Sequence, residues 1–540
     1  MAGARPLAVL LRRGERPESR RAEPTSVQDA GVVDRGSGPM WPLLVGCLAL
    51  AALTLILPST PTYDPWAWIL WGREIGHLDL LTDGGPSWKP LPVLFTVPFS
   101  IFGDHAAPLL WVWIARAGGL LAVAMAFRVA RRLVGGAAGL VGGLFGALFL
   151  LSSFRFVRDG ALGNSEAMLA GLVLWGYERH LDGRRDHALY LGVAAALLRP
   201  EVWPFLGIYG IWLFLHEPEL RPRLLGFGVL VPALWGGPEL WGSGDALRAS
   251  SRANTPNPGS PAFAEHPGWE VISRFIRVTI PALQATALVG TLCAAYAWMR
   301  TRRQSHVLVV GLAGLAWLLL VAGMTEGGYA GNQRYLIVST ACVCVLGGVG
   351  VGRIFQGLQG LAARLTQDRR VALGIAFGVV ALAAVAAAPV WEKRVDNVRV
   401  TVDLLRYEAD LWSGLRDAID EAGGADRLKA CGHLYSGPFQ TQMVAYELGV
   451  HGRDISPLRS TPPGAAFRTR TIPKGPLVIR PRDPRYREVV ATEHWRIATV
   501  PPAGKPRSAV SGCPASSPGA PEAPLTSRNG HRDSAFRPAD

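Results

Sequence analysis

Carboxylates and cations recur beside the ends of long apolar blocks, in combinations that could move a proton and hold a phosphate. Asp64 follows the apolar run 41–58, and Lys89-Pro90-Leu91 comes just after the Gly84-Gly85 turn. Asp159 and Glu166 lie within RDGALGNSEAML, Arg199 stands in the break Arg199-Pro200-Glu201, and Arg334 lies in GGYAGNQRYL. An ionised side chain next to a membrane span is costly unless water, a counter-charge or a reacting group receives it. A positioned carboxylate can take a proton from a hydroxyl, while a point-charge lysine and a forked arginine complement each other on a phosphate. Asp64 and Glu166 are therefore the candidate catalytic residues. Lys89, Arg199 and Arg334 are the candidate lipid-phosphate ligands, with Arg73, Glu74 and Asp159 as support. Local readings compete with each of these. Asp64 before Pro65 makes a good helix N-cap, Asn164 or Ser165 can cap a helix that has Glu166 in its first turn, and Lys89 and Arg199 can snorkel to headgroups. His266 reads as structural or solvated. Whether the acids also carry a divalent metal ion is left open, and no CxxC-type spacing marks one.

These residues must be positioned by membrane helices. The chain has 540 residues, of which 49% are hydrophobic and 18% charged, and the apolar residues fall in blocks, as in a polytopic all-α membrane protein. Blocks at 41–58, 107–133, 137–155, 166–180, 188–198, 201–216, 223–241, 271–299, 306–323, 334–352 and 371–390 imply about eleven transmembrane helices. The net charge of +14 raises nucleic acid as a partner. Its Arg and Lys sit in short loops between apolar blocks, which instead is the pattern that orients membrane helices. Arg128, Arg131, Arg132, Arg179, Arg184, Arg185, Arg221, Arg223, Arg300, Arg302, Arg303, Arg353, Arg364, Arg369 and Arg370 then face the cytoplasm. The loops with Asp64, Lys89, Asp159, Glu166, Arg199, Arg252, Glu265 and Arg334 face outward. Trp66, Trp68 and Trp71, on a short helix from Pro65 to Ile75, suit an element lying in the membrane interface.

The composition divides the chain into residues 1–40, a disordered cytoplasmic tail; 41–390, the membrane domain; 391–500, a small extracytoplasmic α/β domain; and 501–540, a disordered tail. In the third region an amphipathic helix over 399–421, strands at 428–433 and 477–480, and a helix at 439–448 are expected. Cys431 and Cys513 are the cysteines on polar ground, where a disulfide can form if the region is exported.

The order Asp64, Arg73-Glu74, Lys89-Pro90-Leu91, Phe102-Gly103, Arg116, Glu166-Ala167-Met168-Leu169 and the Arg199 hairpin resembles the GT-C superfamily of membrane glycosyltransferases. The branch it is most similar to is that of the protein mannosyltransferases and the bacterial aminoarabinose transferase. The resemblance covers residues 41–216 well and the later helices in general layout. It implies a transferase that takes a sugar from a polyprenyl-phosphate donor and gives it to an envelope glycan, lipid or protein on the extracytoplasmic face. It places Asp64 at the acceptor, as base or orienting group, and Lys89 near the lipid phosphate. Glu166 stands where the family often has Asp ahead of its fourth helix, and Arg199 where related enzymes have a basic residue. The family often has Asp followed by Glu in its first loop, whereas this chain has Asp64-Pro65. A secondary transporter and a noncatalytic envelope-assembly protein of the same fold remain as alternatives. The first would carry its ionisable residues near midmembrane, on broken helices in repeated halves.

Overall fold

The computed structural model describes residues 39–302, 305–457, 460–502 and 512–514. Nearly all of the two expected tails, 1–40 and 501–540, lies outside the described residues. The helices are α1 (Trp41–Thr54), α2 (Tyr63–Gly76), α3 (Pro90–Phe99), α4 (Ala106–Val134), α5 (Gly136–Leu151), α6 (Phe154–Ala161), α7 (Glu166–Leu181), α8 (Arg185–Ala196), α9 (Trp203–His216) and α10 (Arg221–Ser243). They continue with α11 (Arg248–Ala253), α12 (Pro267–Val278), α13 (Pro281–Thr301), α14 (Ser305–Glu326), α15 (Ile337–Thr366), α16 (Arg369–Ala386), α17 (Ala388–Glu421), α18 (Ala425–Lys429) and α19 (Thr441–Leu448).

Among the described residues six helices are long and apolar enough to cross a membrane, or seven if the α5–α6 pair, bent by 66°, counts as one span. The expectation of about eleven exceeds this because α1, α7, α8 and α9 have only 12 to 16 residues. At 1.5 Å per residue such helices are shorter than a hydrocarbon core of about 30 Å. The block expected at 271–299 is two helices. Thr279 and Ile280 are extended ahead of Pro281, which cannot continue a helix from α12, and α12 is amphipathic.

Helix α17 runs unbroken through residue 391, so the compositional boundary falls inside an element. It ends at Gly423 and Gly424, both at positive φ. Beyond it, β1 (His433–Ser436), β2 (Ile455–Ser456), β3 (Gly464–Arg470), β4 (Leu477–Val478), β5 (Arg487–Ala491) and β6 (Trp495–Val500) form one sheet of order β2-β1-β3-β6-β5, with β4 on β3. β1 runs parallel to β2 and β3, while β6 is antiparallel to β3 and β5. The strand expected at 428–433 is instead the end of α18 and a turn, and the strand follows at His433. Cys431 and Cys513 form a disulfide, which ties the segment after β6 to the start of β1.

The tryptophans of α2 are not an interfacial belt. Trp66, Trp68 and Trp71 are buried, against Trp412 and Tyr446, Trp111, and Trp88 respectively. α2 is thus a protein-covered platform between the helix bundle and the sheet domain. It sits close on α3 because residue 72 is glycine: a Cβ there would lie 2.5 Å from Thr96 Oγ1, whose hydroxyl donates to the Trp68 carbonyl. The Gly84 turn serves the other side, where a Cβ would come 2.2 Å from the Arg453 backbone nitrogen.

Candidate functional site

Five charged residues from five separate segments meet at one end of the bundle, and each stands at or just before a helix start. Asp64 is in the first turn of α2, Lys89 precedes Pro90 of α3, and Glu166 opens α7. Arg199 precedes the 3-10 turn Pro200–Val202 before α9, and Arg334 lies in the 3-10 turn Gln333–Leu336 before α15. Helix N-termini carry partial positive charge, so they favour the acids and oppose the cations. The cations are held by counter-charge. Glu166 Oε1 accepts from Arg199 Nη1 at 2.9 Å and from Lys89 Nζ at 3.3 Å, and lies 3.9 Å from Arg334 Nε. Arg334 Nη2 donates to Asp64 Oδ2 at 2.7 Å and its Nη1 to Asn164 Oδ1 at 3.1 Å.

These contacts decide the local alternatives. Thr62, not Asp64, occupies the N-cap position of α2, and the Asp64 carboxylate turns to Arg334. Ser165 occupies the N-cap position of α7, yet its hydroxyl accepts from Lys89 at 3.2 Å rather than from the helix backbone. Lys89 is buried, with its ammonium 4.8 Å from the centre of the Trp68 ring, so it does not snorkel to headgroups.

The cluster is graded from inside to outside. Glu166 is 1% exposed and Arg199 4%, whereas Asp64 is 12% and Arg334 25% exposed. Arg199 is fully engaged from behind. Its Nε and Nη2 donate to Glu201, Nη2 also donates to the Tyr329 hydroxyl, that hydroxyl donates to Glu201, and the Tyr335 ring lies 3.9 Å below the guanidinium. Glu201, Tyr329 and Tyr335 were not singled out in the sequence. The available signal was the acid two residues after Arg199 in a segment otherwise apolar. On the inner side, Glu166 Oε2 is buried with no hydrogen-bond partner among the described residues.

No family model matches the chain, and no curated protein matches it. The chain is similar to the crystal structure of ArnT from Cupriavidus metallidurans bound to undecaprenyl phosphate, with 15% identity, a TM-score of 0.46, and coverage of 85% of this chain and 98% of that one. The apo state of the same protein gives 16% identity, a TM-score of 0.47 and coverage of 85% and 97%. An Archaeoglobus fulgidus oligosaccharyltransferase tethered with an acceptor peptide gives 14% identity, a TM-score of 0.40 and coverage of 72% and 58%. The chemistry of the cluster stands on its own contacts.

Of the three supporting residues, Asp159 borders the cluster, and Arg73 and Glu74 are placed elsewhere. Asp159 is buried on α6, within electrostatic reach of Arg155 and Arg158 and of Glu166 and Arg334 in the cluster, and its backbone carbonyl accepts from the Asn164 N–H. Arg73 donates to the Tyr446 carbonyl at 2.9 Å and stacks on that ring, and Glu74 receives His451 at 2.9 Å and the Leu81 N–H at 3.0 Å. Both residues fasten the sheet domain to α2. Among the described residues no group of three or more His, Cys, Asp or Glu side chains could hold a metal ion. Asp64 and Glu166 present at most two carboxylates, each already bound to guanidinium, so the side chains do not make a metal cage.

Burial pushes the Glu74 carboxyl up to about 7, against the pull of the Leu81 N–H, His451 and Arg73. A raised carboxyl pKa means that the folded form holds the proton more tightly than the unfolded chain. That contribution is full below the ordinary value of 4.5 and is lost as pH rises through about 7. The melting temperature of the protein should therefore fall between about pH 5 and 8, and Glu74→Gln should flatten the slope. An unchanged slope in that variant contradicts the assignment.

Proposed function

We propose that the protein is a membrane glycosyltransferase that moves a sugar from a polyprenyl-phosphate donor to an envelope acceptor on the extracytoplasmic face. The observation that carries this reading is the ion-pair cluster itself, in which a partly exposed carboxylate stands beside a partly exposed guanidinium at the end of a helix bundle. In the reaction the acceptor hydroxyl oxygen attacks the anomeric carbon, Asp64 takes the hydroxyl proton, and the bond from that carbon to the phosphate oxygen breaks. Negative charge grows on the departing lipid phosphate. Arg334 and Lys89 meet it, and the N-termini that converge on the cluster add to the field.

The exposure gradient divides the cations. Arg334 is the one an incoming phosphate reaches first, whereas Arg199 spends its donors on Glu166, Glu201 and Tyr329 and serves to orient Glu166. Arg334→Ala should thus weaken binding of a polyprenyl phosphate by about 10- to 100-fold, the worth of a charge-assisted hydrogen bond. Binding equal to wild type would remove Arg334 from the donor site.

Two observations support the outward face. The cluster lies at the start of α7, and a second charge network joins Arg128 and Arg132, near the C-terminal end of the membrane-length helix α4, to Glu178 and Asp182 at the other end of α7. The second network lies among the basic loops that mark the cytoplasm. The disulfide of the domain docked on α2 also fits an oxidising compartment. Thiols introduced at Leu78, 81% exposed, and Asp104, 68% exposed, should react with a membrane-impermeant reagent in intact cells. A thiol at Asp186, 43% exposed, should be protected until lysis. The reverse pattern overturns the orientation.

A further inference from the structure

The residue before Asp64 opens a surface that proton transfer and phosphate binding leave unused. Tyr63 is half-buried, and segments far apart in the chain converge on its ring. Phe439, also half-buried, meets it edge-on with centroids 6.5 Å apart. The Tyr63 hydroxyl lies near the side chains of Thr441 and Gln442, the Gln442 Oε1 has no hydrogen-bond partner among the described residues, and the Arg252 guanidinium is within electrostatic reach. Arg252 belongs to α11, and it spends one N–H on the Thr255 carbonyl at 2.7 Å. Gln440, 4% exposed, keeps its Oε1 without a partner among the described residues.

The sheet domain is held firmly enough for this rim to be a built surface. Trp66 packs between Trp412 and Tyr446, Gln442 Nε2 donates to the Gly84 carbonyl at 2.8 Å, and Arg73 holds the Tyr446 carbonyl. The loop that carries Phe439 joins β1 to α19. It therefore lies at the C-terminal end of a strand flanked by parallel neighbours, the edge at which open sheets take ligands.

We propose that Tyr63, Phe439, Arg252 and the Gln440–Gln442 turn form a carbohydrate-binding subsite that seats the acceptor glycan beside Asp64. The inference rests on the transferase reading and adds its acceptor class. Aromatic rings offer apolar faces to the C–H side of a sugar ring, and the amide, hydroxyl and guanidinium groups around them supply donors and acceptors for its hydroxyls. The mixed donors and acceptors suit a neutral polyol, and the Arg252 guanidinium tolerates an occasional acidic sugar.

The test uses the full-length protein in detergent micelles and saturation-transfer NMR, which reads contact without turnover. The probes are neutral trisaccharides of hexoses and of pentoses, with a Ser/Thr-rich peptide as the competing class. At least one trisaccharide should receive saturation from the wild type. Phe439→Leu, which keeps apolar bulk but removes the aromatic face, should raise its Kd at least about fivefold, and Phe439→Trp should retain binding. Polyprenyl-phosphate binding should stay at the wild-type level in both variants. Trisaccharide binding unchanged in Phe439→Leu, or contact with the peptide alone, overturns the subsite. Lipid phosphate bound with no trisaccharide bound overturns the subsite and leaves the transferase reading standing, whereas failure to bind either overturns both.

Discussion

Asp64→Asn is expected to leave a folded protein that has lost sugar transfer, with the rate down by about 100- to 10,000-fold. The substitution is close to isosteric, and it tests charge rather than shape. The amide oxygen can still accept from Arg334, now without full ionic attraction, so the stability loss should stay within about 1–3 kcal/mol. Helix capping does not confuse the result, because Thr62 rather than Asp64 occupies the N-cap position of α2. Turnover must be compared at matched amounts of folded protein. Near-normal transfer by this variant would leave Asp64 as a structural counter-charge for Arg334.

Glu166→Ala should instead act on the fold. Its carboxylate is buried against Lys89 and Arg199, and removing it leaves two buried cations without their shared anion. Breaking a buried pair from one side costs about 3–5 kcal/mol, most of a marginal protein's stability. The milder Glu166→Gln keeps an oxygen for Arg199 and isolates the charge. Combining it with Lys89→Met removes one charge of each sign, so the double variant should be less destabilised than the sum of the singles, by roughly 1–3 kcal/mol of coupling. Thermal unfolding of the variants in detergent reads this directly. Additive losses would mean that Lys89 and Glu166 do not depend on each other, and wild-type stability for Glu166→Ala would mean that the buried pair anchors nothing. The contrast with Asp64 follows from exposure: the carboxylate at the rim can meet substrate, and the one at the base holds the cations in place.

Much of this arrangement could be read from residue type and position. Asp64, Lys89, Glu166, Arg199 and Arg334 each interrupt or border an apolar block beside a turn or a proline, and the structure brings all five together. What they touch was not readable. Arg334 reaches Asp64 across 270 positions, and Tyr329 closes on Arg199 across 130, so the pairing exists only once the helices are packed. Trp66, Trp68 and Trp71 show the same limit in reverse. An aromatic-rich helix suits a membrane interface as well as a protein core, and only the partners Trp412, Trp111 and Trp88 decide between them. In the sheet domain, β3 has the sequence GAAFRTR and is buried along most of its length on both faces, so it lacks the alternation that marks a half-exposed strand. Its neighbour β6 contributes Trp495 and Ile497 from a segment of 6 residues, too short to carry a strong periodic signal. Among the described residues, six or seven of the expected helices are long enough to span on their own, and the shorter apolar ones are not told apart by hydropathy, which registers burial in protein and burial in lipid alike.

The most direct test of the central claim is donor consumption by purified full-length protein. Polyprenyl-phosphate-linked hexoses and pentoses would be supplied in detergent together with envelope glycan, and free polyprenyl phosphate would be measured alongside sugar incorporated into the acceptor. The account predicts that at least one donor is consumed, that lipid phosphate and transferred sugar appear in equal amounts, and that both vanish together in Asp64→Asn. Consumption of no donor by a folded protein that binds no polyprenyl phosphate would contradict it.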